Sequence, residues 1–214
     1  MQNSNETDFA RIKSPMYGNV FGNDGIFRTS INLIEGESGV GKTTFLLQLA
    51  DEIAGVEKRE VIFLTLEESA ITMSELASRL SLPNSKSIRI VSDPNKEMNI
   101  ADTILRRKPA AVVIDSLHQL VGERTSDMNE ALVLCGRLAL ECRRPFFIAQ
   151  PTFENKSTDV LQVECIAELF VATNGNRTLE VIKNRYGRAL VKQQFRMTKK
   201  GLVKYGRLNT SSSN

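Results

Sequence analysis

The chain has 214 residues, 41% of them hydrophobic and 25% charged, a balance that excludes wholesale disorder and suits one domain with its own core. No apolar run approaches the roughly 20 residues of a membrane helix, and the polar opening MQNSNETDF has no signal-peptide pattern, so a cytoplasmic protein without membrane contact is expected. The formal charge of +3 hides an asymmetry: residues 181–214 hold nine Lys or Arg and no Asp or Glu, leaving 19 basic against 25 acidic residues before them; such a segment suits a polyanion or plain solvent equally well.

Residues 1–12 are polar and residues 208–214 close on the low-complexity run NTSSSN, so both ends are expected to be disordered around one domain at 13–207. Ile31 to Glu35 reads as a short strand running into a Gly-rich loop, and Leu46, Leu49, Ala50 and Ile53 follow at helical spacing. Strands at 61–65 and 88–91 alternate with helices at 71–80 and 100–107. A strand at 111–114, a helix at 128–144 and a strand at 146–149 continue the pattern, with Met128, Leu132, Cys135, Leu138 and Cys142 on one helical face. Buried strands alternating with amphipathic helices predict an α/β fold with a mostly parallel central sheet covered on both faces. Beyond residue 165 the style changes. Residues 168–172, the turn TNGNR and residues 178–183 read as an antiparallel hairpin, which a strand at 193–197 extends.

Three cysteines, Cys135, Cys142 and Cys165, without a CxxC pair give no zinc framework and read as buried thiols of a reducing compartment.

The segment Gly36-Glu37-Ser38-Gly39-Val40-Gly41-Lys42-Thr43, with Thr44 after it, satisfies GxxxxGK[ST] between a strand and a helix. Its backbone N–H groups are suited to wrapping phosphates, Lys42 to reaching the β- and γ-phosphates of ATP, and the Thr43 hydroxyl to ligating Mg2+. Asp115 ends the apolar run at 111–114, where a carboxylate holding magnesium belongs. Glu67 and Glu68 follow the strand at 61–65 and are the candidates for polarising an attacking water. Gln150 ends the next strand and is placed to sense the γ-phosphate. His118, the single histidine, reads as a packing or capping residue.

These motifs resemble the RecA-like P-loop ATPases, and most closely the ATPase core of the RadA/Sms DNA repair and recombination family. The resemblance runs nearly end to end through VFGNDGI, GESGVGKT, LTLEES, VVIDSLHQL, Lys183-Asn184-Arg185-Tyr186-Gly187 and QFRMTKKGL. It implies a RecA-like fold with a C-terminal antiparallel extension, ATP and magnesium as ligands, and DNA, single-stranded by analogy, as partner. It also implies a homo-oligomeric ring, hexameric in the related helicases, or a filament, with contacts to replication or recombination proteins. The resemblance picks Glu67 over Glu68 as the catalytic glutamate and makes Lys183 and Arg185 fingers that reach a neighbouring subunit's nucleotide. It places DNA-facing loops near 121–127, with Arg124, and 151–159, with Lys156. Neither loop is rich in basic or aromatic residues. The 214 residues carry neither the four-cysteine zinc module nor the Lon-protease-like domain of that family. Two other readings use the same core: a KaiC-like regulatory ATPase, and a helicase loader that uses nucleotide only to hold a shape.

Overall fold

Strand β3 (Ile31–Glu35) is paired on both sides, and the remaining elements are arranged around it. The computed structural model describes residues 11–14, 17–21, 25–65, 67–92, 100–121, 125–152 and 163–210. A two-stranded antiparallel ribbon, β1 (Arg11–Ile12) with β2 (Ile26–Phe27), precedes β3, with the short helix α1 (Gly18–Phe21) between its strands. Helix α2 (Lys42–Glu57) follows the Gly-rich loop. Then come β4 (Val61–Thr65), α3 (Ala70–Arg79), β5 (Ile88–Val91), α4 (Ile100–Arg107) and β6 (Val112–Asp115). Helices α5 (Leu117–Val121) and α6 (Thr125–Cys142) lead to β7 (Phe146–Gln150), and the chain ends in β8 (Cys165–Val171), β9 (Arg177–Asn184), β10 (Val191–Thr198) and β11 (Gly201–Thr210).

The main sheet has nine strands in the order β11-β10-β9-β8-β3-β7-β6-β4-β5. From β8 to β5 all pairs are parallel, and from β8 to β11 all are antiparallel. The expected α/β fold and antiparallel extension are both present. Paired backbone begins at Arg11 and ends at Thr210, slightly beyond both domain boundaries expected from composition. Strand β11 escapes sequence pattern because it is an edge strand with Val203, Lys204 and Tyr205 all exposed. The turn between β8 and β9 is also wider than Asn-Gly alone suggests. Ala172 N–H donates to the Asn176 carbonyl and only Gly175 turns left-handed, giving the three-residue form of the hairpin.

One core lies between the sheet and α2. There Phe45 packs edge-on against Tyr17 at 4.8 Å and lies 6.3 Å from Phe195 of β10, which ties the entry ribbon and the extension to the same helix. The second core lies under α4 and α6 and contains Leu132, Cys135, Leu138 and Cys142, the face expected from their spacing. All three cysteines are buried and unbridged, and burial pushes the Cys135 and Cys165 thiols up to about 12.

Phe45 is fully buried, so Phe45→Ala should cost about 3–5 kcal/mol of unfolding free energy, measured by urea denaturation. Phe45→Leu, which leaves a smaller void, should cost distinctly less.

Candidate functional site

A parallel sheet sends the carboxyl ends of its strands to one edge, and here Glu35, Gln150, Asp115 and Thr65 end four neighbouring strands. Glu35 is in register with Gln150, and Thr65 with Asp115. The Gly-rich loop rises from the same edge. Gly36 holds its backbone so close to β8 that a Cβ would stand 2.4 Å from the Leu169 carbonyl oxygen, and Gly41, at φ 110°, caps α2. The loop's outer residues Glu37, Ser38 and Gly39 are exposed, while Val40 and Thr44 are buried. The antiparallel extension braces this loop from the side. Arg177 Nε at the start of β9 donates to the Val40 carbonyl at 3.0 Å, and Met197 of β10 lies against Gly41.

Lys42 lies along the loop with its ammonium donating to the Gly36 and Glu37 carbonyls at 2.6 and 2.9 Å. Burial holds it below the ordinary lysine value, while Asp115 and Glu67 pull it back up. Asp115 is 3% exposed. Burial pushes its carboxyl up, a hydrogen bond with the Thr43 side chain opposes that shift, and the nearby Glu67 carboxylate reinforces it. Thr43 and Asp115 are therefore in contact, and both Lys42 and Glu67 act electrostatically on Asp115. Glu68 acts on it more weakly than Glu67 does, and its N–H caps back to Thr65 Oγ1 at 3.3 Å. The geometry favours Glu67 of the pair.

No group of three or more His, Cys, Asp or Glu able to hold a metal exists among the described residues. A magnesium site completed by phosphate oxygens and water requires none. A hydroxyl against a buried carboxylate is the donor set such an ion fits, and Thr43 with Asp115 supplies it.

Residues that sequence pattern did not single out complete the site. Ser116 Oγ donates to Glu67 Oε1 at 2.6 Å and lies 2.7 Å from His118 Nδ1, and Gln119 Nε2 is 3.4 Å from His118 Nε2. Ser116 gives its one proton to Glu67, so its oxygen is free to accept from His118 in the tautomer that carries a proton on Nδ1. His118 is thus joined to Glu67 through one hydroxyl, not simply packed or capping. Gln150, 6% exposed, donates from Nε2 to Glu35 Oε1 at 2.6 Å, so its amide is engaged by the residue that precedes the loop. The only sequence signals were position: Ser116 follows Asp115, and Glu35 precedes Gly36.

Lys183 and Arg185 do not join this cluster. Strand β9 runs antiparallel to β8, with Arg177 at the loop edge and Asn184 opposite Cys165 at the other. About 24 Å of extended strand separates its ends, more than either side chain spans. Asn184 Nδ2 donates to the Phe21 carbonyl at 2.7 Å and its Oδ1 accepts from Tyr186 N–H, while Tyr186 stacks on Phe27 at 4.2 Å. These contacts fix the turn and leave Arg185 exposed. Of the segments 121–127 and 151–159, residues 122–124 and 153–159, with Arg124 and Lys156, lie outside the described residues.

The folded Asp115 carboxyl titrates above its unfolded value, so the fold disfavours its ionised form. The resulting destabilisation is absent below both values and develops as pH rises through the unfolded value of 3.8. Asp115→Asn should therefore raise the melting temperature at pH 7 in the presence of EDTA, and that gain should fade towards pH 4.

A family model described as "AAA domain" matches residues 22–144, which contain the loop, Glu67 and Asp115. The DNA repair protein RadA of Aquifex aeolicus is 29% identical over 191 residues, 83% of this chain and 42% of its own length. That of Bacillus subtilis is 26% identical over 208 residues, 90% and 44%. The chain spans about two fifths of the length of these curated relatives. Among solved structures, a KaiC-like protein from Pyrococcus horikoshii superposes with a TM-score of 0.75 at 21% identity, covering 92% of this chain and 99% of that one. The match over more than half of its residues, on this fold, places the chain in the AAA domain family, with a RecA-like ATPase core.

Proposed function

We propose that the chain is a magnesium-dependent ATPase that works on DNA, with ATP seated between neighbouring copies in a ring or filament. One observation carries the catalytic part: Lys42, the Thr43–Asp115 pair and Glu67 converge at the edge of the sheet that bears the phosphate loop. The backbone from Gly36 to Thr44 wraps the phosphates. Lys42 exchanges two carbonyl acceptors for phosphate oxygens, a charge-assisted and therefore stronger pairing. Thr43 and Asp115 hold magnesium, which when bound neutralises charge on the β- and γ-phosphates. Glu67 polarises the attacking water while Ser116 and His118 fix its carboxylate, and Gln150 reads the γ-phosphate after releasing Glu35.

The placement of Lys183 and Arg185 on the edge opposite their own loop supports action in trans on a neighbour's nucleotide. The DNA part is supported by the 29% identity with a DNA repair protein. Among the described residues no helix is long and apolar enough to cross a membrane.

The decisive measurement is the steady-state ATPase rate with and without single-stranded DNA. Glu67→Gln should lower kcat by on the order of 10²–10⁴ while nucleotide binding persists. Arg185→Ala should lower it by about 10³ or more, and mixing that variant with Lys42→Ala should restore part of the rate, because an interface that joins the Lys42 of one variant to the Arg185 of the other holds an intact site. No turnover by the wild type under either condition would instead favour a nucleotide-dependent loader; turnover indifferent to DNA would favour a KaiC-like regulatory role.

Ser116→Ala should lower kcat more than tenfold with little change in KM, since the lost hydrogen bond orients Glu67 and touches no substrate. His118→Asn, whose amide N–H takes the place of Nδ1–H, should keep more activity than His118→Ala.

A further inference from the structure

The edge of the sheet opposite the phosphate loop is built from the ends of helices and the starts of strands. Three connections there enter neighbouring strands: 58–60 into β4, 108–111 into β6 and 143–145 into β7. They are laced side by side, with Ala110 N–H donating to the Glu60 carbonyl at 2.7 Å and Val112 N–H to the Pro145 carbonyl at 3.1 Å. A basic pair stands at each: Lys58-Arg59 and Arg143-Arg144 within the connection, and Arg107-Lys108 where α4 passes into it. Arg28 lies just before β3, the next strand in the row.

The row is contiguous, because Arg28 and Arg59 both act electrostatically on Arg144 and, after burial, hold its guanidinium below the ordinary arginine value. Two of its cations are answered locally. Arg28 makes a two-point bond to Glu57 at 2.7 and 2.8 Å, and Arg107 pairs with Glu60 at 3.0 Å. Lys58, Arg59, Lys108 and Arg143 are exposed, and among the described residues none is in an ion pair. At the β5 end, an open cavity of about 490 Å³ is lined by Arg89, Thr103, Arg106 and Arg107.

The backbone at these positions is the second observation. Lys58, Lys108 and Arg143 have φ of 51°, 48° and 53°, the left-handed conformation in which a helix ordinarily ends on glycine. A side chain there is less favourable than glycine, because its Cβ crowds the carbonyl oxygen. A cation near a helix C-terminus recovers part of that from the helix dipole, but cations set side by side repel one another. What relieves all three at once is a ligand carrying negative charge at regular intervals along a line.

We infer that this basic row is a binding site for a nucleic-acid strand, gripped through its phosphates and without reading its sequence. From β3 to β5 the row extends about 19 Å, at one strand spacing per step, enough for several successive phosphates. No aromatic side chain lies among the basic pairs, so the contact is with the backbone and not with stacked bases. The site is separate from the carboxyl ends of β6 and β7, which lie at the opposite edge of the sheet. The inference rests on the reading of the chain as DNA-acting for its choice of ligand.

The test uses the full chain with a fluorescent single-stranded oligothymidylate, anisotropy being followed across a potassium chloride series. In the triple variant K58N/K108N/R143N, asparagine accepts the left-handed backbone and removes three charges; the corresponding triple glycine variant checks that the fold is kept. Both should bind more weakly, with the slope of log affinity against log salt reduced by about 2, or roughly 0.7 per lost phosphate contact. Their DNA-independent ATPase rate should equal that of the wild type. Wild-type affinity and slope in both variants would overturn the assignment while leaving the DNA reading intact. Failure of the wild type to bind the oligonucleotide would overturn both. Unchanged oligonucleotide binding with altered sedimentation would assign the row to contact with a second copy of the chain and likewise overturn the proposal.

Discussion

The approach of Gly36 to the Leu169 carbonyl is the constraint on which the rest of the site depends. Because β3 is paired on both flanks, the loop that leaves it has no room to spread sideways, and a Cβ at its first residue would stand 2.4 Å from that oxygen. The chain therefore rises off the sheet edge and turns through Gly39 and Gly41 into α2. Strands β9 and β10 close the flank through Arg177 and Met197. The antiparallel extension is thus part of the phosphate loop's scaffold, and Phe45, beneath the loop, meets Phe195 of that extension in the same core.

Charge is sorted along the sheet. Glu35, Glu67 and Asp115 collect at the carboxyl edge, and the basic pairs collect at the amino edge. Helix direction makes both arrangements favourable, since cations suit the C-termini of the helices that end at the amino edge. At the other edge the balance is less comfortable, because Asp115 is buried beside the Glu67 carboxylate, with the Thr43 hydrogen bond and Lys42 to offset it. Binding of the proposed cation and phosphates at such a site would stabilise the folded chain.

Sequence pattern revealed most of the parallel half. Short β-branched runs alternating with amphipathic stretches are local signals; Lys42 and Thr43 could be placed from the GxxxxGK[ST] motif, and Asp115, Gln150 and the pair Glu67 and Glu68 because they follow strands of known direction, with the family resemblance choosing Glu67. What escaped pattern depends on contacts between distant segments. Arg177 and Val40 are 137 residues apart, and Glu35 and Gln150 are 115 apart. His118 read as packing because its neighbours in sequence gave no hint that Ser116 turns towards Glu67. Strand β11 was missed because an edge strand with successive exposed residues lacks alternation. The basic pairs passed unremarked, since each is ordinary alone and only the strand order brings them into line.

Strand β9 touches the phosphate loop at one end, through Arg177, and carries the turn with Lys183 and Arg185 at the other. It pairs with β8 from Arg177 to Asn184, with a register shift between Ile166 and Ala167, and with β10 from Arg177 to Val181. The flank that braces the phosphate loop at Val40 and the turn that carries Arg185 are thus two ends of a single strand.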